Sequence, residues 1–268
     1  MAPQEQKAFF EDQGYLILEG LFTPDEMLEC QEEVKRLHDV AATLKEANNP
    51  DGGHFQVEPY AGDESQADGR LVLRKIENTR RFSDVFLRLA QHPRLVEAVQ
   101  NLIGPDLLLF RSTLMLKPAF HGSQHALHQD SAYWPMDPPT LVTVSIALND
   151  STSENGCIRV IPKSHEWGLQ EWGRITRGDD EAATDRQDID ESQAVEAALT
   201  AGSAVCFHSL CVHGSGPNKS PKPRNTALYA YFSPEVRYVG RGTAARDRTF
   251  PVIAGLDGRS ELTLTAAD

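Results

Sequence analysis

The apolar positions change period once along the chain, near Asp106. Before that point the spacing is mostly helical. Residues 5 to 13 read as a short helix leading into Gly14-Tyr15-Leu16-Ile17-Leu18, a β-rich apolar run. Thr23 as N-cap, Pro24 at the first helical position and Glu26 three residues after the cap form a capping box. Met27, Leu28, Val34, Leu37 and Val40 then recur at roughly helical spacing, which predicts a long helix packed as an outer brace. Residues 48–70, rich in Asn, Pro, Gly, Asp and Ser without a sustained period, read as a loop long enough to be either a lid or partly disordered. Two further helices are expected, one from near Ser83 and one from Pro93 that carries Leu95, Val96, Val99, Leu102 and Ile103 to a stop at Gly104-Pro105.

After Asp106 the texture is β. Leu107 to Lys117, Leu141 to Leu148, Cys157 to Ile161, Ala204 to His208 and Thr226 to Ser233 are apolar or β-branched runs separated by turn residues. No helix alternates with them, so the pattern argues for an antiparallel sandwich or jelly roll rather than a parallel α/β sheet. The expected fold is mainly β with a helical N-terminal third, in one domain: residues 1–105 as a largely helical brace and loop, 106–235 as the β core, and 236–268 as a C-terminal extension. Between Arg174 and Glu196, eight acidic residues mix with three arginines. That stretch reads as a solvated face or as a flap over a site between strands.

Composition narrows the partners. The 268 residues carry 26 Lys and Arg against 39 Asp and Glu, a net charge of -13, and such a field repels nucleic acid and anionic membrane surfaces. A small molecule is the expected partner. Cys30, Cys157, Cys206 and Cys211 show no CxxC spacing, no secretory h-region is apparent, and no apolar run approaches the ~20 residues of a membrane span, so the cytoplasm is the expected compartment.

The candidate chemistry lies in His128-Gln129-Asp130 and His213-Gly214-Ser215, with Arg224 eleven residues after His213. In an extended segment His128 and Asp130 leave the same face while Gln129 points elsewhere. Two imidazoles and one carboxylate can hold one face of a ferrous ion and leave three positions open. Arg224 has the planar fork suited to the far end of a dicarboxylate in a dry site. His208 is the rival third ligand, but its odd separation from His213 puts the two on opposite faces of a straight strand. Tyr133 and Trp134 follow the ligand pair and read equally as pocket wall or core. His121 and His125 have the spacing of a helical zinc pair, which Pro118, Gly122 and Ser123 make untenable.

The surrounding text resembles the phytanoyl-CoA dioxygenase family. The matching stretches are Leu127-His128-Gln129-Asp130-Ser131-Ala132-Tyr133-Trp134, Ile146-Ala147-Leu148-Asn149-Asp150 with Glu154-Asn155-Gly156-Cys157, Val160-Ile161-Pro162-Lys163-Ser164-His165, and His213-Gly214-Ser215-Gly216-Pro217-Asn218 with Arg224. The resemblance implies a double-stranded β-helix of cupin type, with Fe(II) on His128, Asp130 and His213 and 2-oxoglutarate as co-substrate. Its distal carboxylate would rest on Arg224 and Ser215, with Lys75, Thr113 and Gln129 falling where further contacts occur. Several relatives carry a tryptophan where this chain has Ser145, which alters that wall. The implied reaction consumes O2, oxidises an unactivated C–H bond of a small molecule and releases succinate and CO2. Because Asp130 is present, chloride is not expected to take its place on the metal, and hydroxylation is favoured over halogenation, with desaturation, ring closure and epoxidation left open. The alternative is a non-catalytic cupin-like binding protein, which would have no reason to keep the triad and Arg224 together.

Overall fold

The computed structural model describes residues 1–58, 71–173, 176–177, 182–183, 188–240 and 245–266. It is mostly β, with four α-helices among the described residues: α1 (Pro3–Gln13), α2 (Pro24–Glu46), α3 (Asp84–Ala90) and α4 (Pro93–Ile103). The strands are β1 (Tyr15–Leu18), β2 (Phe55–Val57), β3 (Leu73–Glu77), β4 (Leu107–Lys117), β5 (His125–His128), β6 (Met136–Asp137), β7 (Val142–Ala147), β8 (Ile158–Val160), β9 (Thr176–Arg177), β10 (Ala182–Ala183), β11 (Val195–Ala197), β12 (Ala204–His208), β13 (His213–Ser215), β14 (Arg224–Phe232), β15 (Arg237–Tyr238), β16 (Asp247–Ala254) and β17 (Glu261–Thr265).

Two sheets position the site. The larger runs β1-β12-β7-β14-β4-β16-β17, and β3 joins the same edge of β4 as β16 while pairing with β2 on its other side. The smaller runs β11-β8-β13-β5, and the pairings in both are antiparallel. The N-terminal third is therefore more than a brace: β1, β2 and β3 are strands of the main sheet, and β2 begins inside the stretch expected to be loop. Residues 59–70 of that stretch, and the side chains of 174–187 in the expected acidic flap, lie outside the described residues.

Strand alternation sends each residue set to its own layer. Leu114 and Leu116 of β4, Val142, Val144 and Ile146 of β7, and Tyr229 and Tyr231 of β14 face the helices, where they meet Met27, Cys30, Val34, Leu37 and Ala41 of α2 and the buried stripes of α3 and α4. The α2 stripe steps by three and four residues, as one buried helix face requires. Its start is capped reciprocally: Glu26 N–H donates to the Thr23 hydroxyl, and the Glu26 carboxylate accepts from Thr23 N–H at 2.7 Å. The hydroxyls of Tyr229 and Tyr231 donate to the carbonyls of Phe86 and Ala90, both at 2.8 Å, and so tie β14 to α3. The opposite faces of the same strands look toward the smaller sheet; Ala147, Val205 and Phe207 meet Ile158 and Val160 there.

His208, at the end of β12, belongs to the outer layer: its ring stacks near Phe10 and His165, away from His213. Burial and neighbouring His165 hold its pKa down at about 4. Its Nδ1 accepts from Leu210 N–H at 3.1 Å, a bond that a ring protonated at that nitrogen cannot keep. The unfolded chain takes up this proton near the ordinary histidine value of about 6.5, so stability is complete above that pH and is lost as the pH falls toward 4. His208→Gln is expected to remove a pH-dependent loss on the order of 2–3 kcal/mol in that window. Tm against pH for the two proteins decides the matter; parallel curves would clear His208.

Candidate metal centre

His128 closes β5, Gln129 continues extended, and Asp130 opens a 3-10 turn, Asp130–Ala132. His213 opens β13 and stands directly opposite His128 in the ladder. Gly214 is what permits this approach: a Cβ there would lie 2.7 Å from the His125 carbonyl. The Nε2 atoms of His128 and His213 come to 3.6 and 3.9 Å from the same carboxylate oxygen, Oδ1 of Asp130. The three ligand atoms lie within 4.8 Å of one another, and all three residues are buried. This grouping could hold a metal ion.

The partners of the other polar atoms aim the free ones inward. Nδ1 of His128 bonds the Ala126 carbonyl at 2.8 Å and Nδ1 of His213 the Cys211 carbonyl at 3.0 Å, so each ring carries its proton on Nδ1 and offers a bare Nε2. Oδ2 of Asp130 accepts from the Thr143 hydroxyl at 2.8 Å, which leaves Oδ1 to the centre. Burial raises the Asp130 pKa, but His213, His128 and the Thr143 bond outweigh it and hold the carboxyl well below its usual range. Burial and neighbouring His128 lower His213 to about 4, so it is a neutral imidazole at physiological pH. A carboxylate with two imidazole Nε2 atoms is a donor set suited to a divalent cation with open positions.

A cavity of about 330 Å³ opens beside these atoms, between the two sheets. Arg224, on β14, is buried at its end. Its Nε and one terminal nitrogen donate to the Gly156 carbonyl at 3.0 and 2.7 Å, and among the described residues the other terminal nitrogen meets only the Thr226 hydroxyl, at 3.3 Å. Gly156 has φ +79°, and a Cβ on it would come within 2.3 Å of the Gly216 carbonyl, so only glycine brings this carbonyl to the arginine. Burial draws Arg224 down to about 10, and it stays charged.

Of the other expected site residues, Lys75, Thr113, Ser215, Tyr133 and Trp134 line the same cavity. Lys75 is paired with Glu77 at 2.6 Å, and Thr113 accepts from Arg111 at 3.1 Å. Trp134 is at once wall and core, packed 4.9 Å from Phe110. Ser145 is fully buried on the same face of β7 as Thr143, and its hydroxyl has no partner among the described residues. Gln129 departs from the contact its motif implied. Its amide donates to the Gly168 and Leu210 carbonyls and accepts from Gln170 N–H and the Trp172 indole, so it is saturated on the far side of β5.

Lys117, Arg111 and His125 also line the cavity, outside the expected site residues. Lys117 faces Arg224 across the β4–β14 ladder and donates to the carbonyls of Ser123 and Gly216. Arg111 lies on the same face of β4, at the opposite end. His125 stands three residues before His128, yet both face the cavity, because β5 spends an extra residue against His213–Ser215 in a bulge.

The family model for phytanoyl-CoA dioxygenases matches residues 10–226. The chain belongs to this family. Rat peroxisomal phytanoyl-CoA dioxygenase is 26% identical over 93% of this chain and 74% of its own length. Ectoine dioxygenase of Streptomyces coelicolor is 29% identical over 83% and 75%. A solved structure of EctD from S. alaskensis with 2-oxoglutarate and 5-hydroxyectoine superposes with a TM-score of 0.68 at 26% identity, covering 88% of this chain and 79% of that one. With the His128–Asp130–His213 grouping in place, this member of the phytanoyl-CoA dioxygenase family is an iron- and 2-oxoglutarate-dependent oxygenase. Among the described residues no helix is long and apolar enough to cross a membrane.

Proposed function

We propose that the two facing sheets form a single double-stranded β-helix domain, that His128, Asp130 and His213 hold Fe(II), and that the chain oxidises a C–H bond of a small molecule. The observation that carries the reading is the convergence of three aimed donor atoms and a buried, half-satisfied arginine on one cavity. When bound, iron and 2-oxoglutarate supply the oxidising chemistry, with O2 consumed and succinate and CO2 released. The protein supplies orientation. Arg224 offers its free edge to the distal carboxylate of 2-oxoglutarate, Ser215 and Thr113 offer hydroxyls along the wall, and Lys75 adds a cation; Ser145, fully buried, is not among the residues that line the cavity. Tyr133 and Trp134 form the aromatic wall against which a substrate packs. Because Asp130 occupies the carboxylate position, oxygen insertion is favoured over halogenation. The four buried, unpaired cysteines fit a reducing compartment such as the cytoplasm.

Anaerobic addition of Fe(II) and 2-oxoglutarate is expected to produce the weak visible absorption of the metal chelate. A folded, metal-loaded protein without that band would sink the co-substrate assignment. Thr143 provides a second test, because its hydroxyl holds Oδ2 of Asp130 and leaves Oδ1 to the centre. Thr143→Val, nearly isosteric, is expected to weaken iron binding about tenfold while leaving the fold intact. Unchanged iron affinity in a competition titration would mean that the Thr143 bond does not orient the ligand.

A further inference from the structure

The cavity gathers charge of one sign. Five of the chain's 26 basic side chains line it, Arg74, Lys75, Arg111, Lys117 and Arg224, against one of its 39 acids, Asp130. Just outside the wall, Glu77 is shared between two of these cations, at 2.6 Å from Lys75 and 3.2 Å from Arg111. Arg74 donates to the neutral Gln56 amide, and Lys117 and Arg224 donate to backbone carbonyls. A ferrous ion and a 2-oxoglutarate dianion cancel each other, so loading the centre leaves the positive surplus in place.

The β4–β14 ladder separates this surplus into two ends. Lys117 and Arg224 form one cross-strand pair, and Arg111 stands opposite Ala230, six residues back along β4. At the rise of an extended strand the separation is roughly 20 Å. Ala230 in turn faces Thr143, the residue that holds Asp130. Arg111 therefore lies in the metal ligand's own row, two strands across from Thr143 and six residues along the ladder from the Arg224 pair. A molecule with one end on the metal and the other on Arg224 cannot also reach Arg111.

The Arg111 end is reinforced. Arg248 on β16 sits with its guanidinium 4.8 Å from the centre of the Phe110 ring and 5.0 Å from that of Phe250, and no carboxylate pairs with it among the described residues. Phe110 passes this support to the cavity wall through Trp134. Burial lowers the Arg248 pKa; Tyr238 opposes the shift, and Arg111 and Arg80 add to it. Of these three arginines Arg111 alone is seen on a carboxylate among the described residues, Glu77, which it shares with Lys75, within a chain of net charge -13. Such an arrangement is stable when an anion arrives.

We propose that the substrate carries an anionic group, a carboxylate or a phosphate, and that Arg111, backed by Arg248, receives it at the end of the β4–β14 ladder away from Arg224. This rests on the reading that 2-oxoglutarate occupies the Arg224 end.

The test uses phenylacetate, phenyl phosphate and neutral 2-phenylethanol as probes, titrated anaerobically into protein loaded with Fe(II) and stoichiometric 2-oxoglutarate. Binding is followed by calorimetry and by perturbation of the chelate band. At least one anionic probe is expected to bind about tenfold or more tightly than the alcohol. A tighter phenyl phosphate assigns a phosphate, and a tighter phenylacetate a carboxylate. Arg111→Gln should erase the preference and Arg111→Lys should keep part of it; Arg248→Gln should reduce it. The chelate band should persist in all three variants. Equal binding of alcohol and anions by the unaltered protein overturns the proposal, as does an Arg111→Gln variant that keeps the preference. Loss of the band in Arg111→Gln alone would make Arg111 a co-substrate ligand and overturn it too. A missing band in the unaltered protein would instead bring down the 2-oxoglutarate reading, and this proposal with it.

Discussion

Replacing His213 with alanine is expected to weaken iron binding by more than about 100-fold, since loss of even an outer-shell partner of a metal ligand costs 10–100-fold. Iron-dependent succinate formation should vanish with it. The imidazole contributes one of only three protein donors, and the geometry offers no substitute: His125, the nearest unused ring, packs edge-on against His128 at 4.7 Å rather than toward Asp130 Oδ1. His208 lies in another layer. Removing the ring also opens space beside Phe207, whose centroid is 4.2 Å away, so a lowered Tm is expected for alanine. His213→Leu fills most of that space and separates the two effects: near-normal melting, no iron. Iron content after desalting, measured beside a thermal melt, makes the distinction. A leucine variant that retains stoichiometric iron would remove His213 from the ligand set.

The site was legible where it depends on local periodicity. His128 and Asp130 share a face because the chain is extended through Gln129, and the same alternation throws Gln129 to the far side, where four hydrogen bonds hold it. Here alternation was a better guide than motif likeness. The capping box of α2 and the stops of α4 were legible for the same reason. What escaped depends on pairing between distant segments. Lys117 and Arg111 acquire meaning only when β4 is laid against β14, because nothing local marks one cation of a strand as a cavity residue. His125 escaped because a bulge changes parity once within β5, and a straight-strand reading sends it outward. At the C-terminus, Pro251 breaks the look of a strand, yet β16 pairs with β17 along its first part and with β4 at its end.

Arg224→Met is expected to raise the 2-oxoglutarate concentration needed for half-saturation by about 100-fold or more while leaving iron affinity unchanged. Breaking one side of a buried ion pair costs about 3–5 kcal/mol, and each 1.4 kcal/mol is about a factor of ten. The loss falls on the co-substrate alone, because Arg224 touches Gly156 and Thr226 and none of the three metal ligands. Arg224→Lys tests the fork rather than the charge. An ammonium is a single point of donation, so it cannot serve the Gly156 carbonyl with one edge and a carboxylate with the other, and it should recover only part of the affinity. The neighbouring Lys117 is a poor substitute, since two of its three donors are committed to the Ser123 and Gly216 carbonyls. Titrating the chelate band against 2-oxoglutarate in the three proteins, beside iron binding measured separately, gives the comparison. A methionine variant with the unaltered co-substrate requirement, or one that loses iron and 2-oxoglutarate in equal measure, would place the distal carboxylate elsewhere in the cavity.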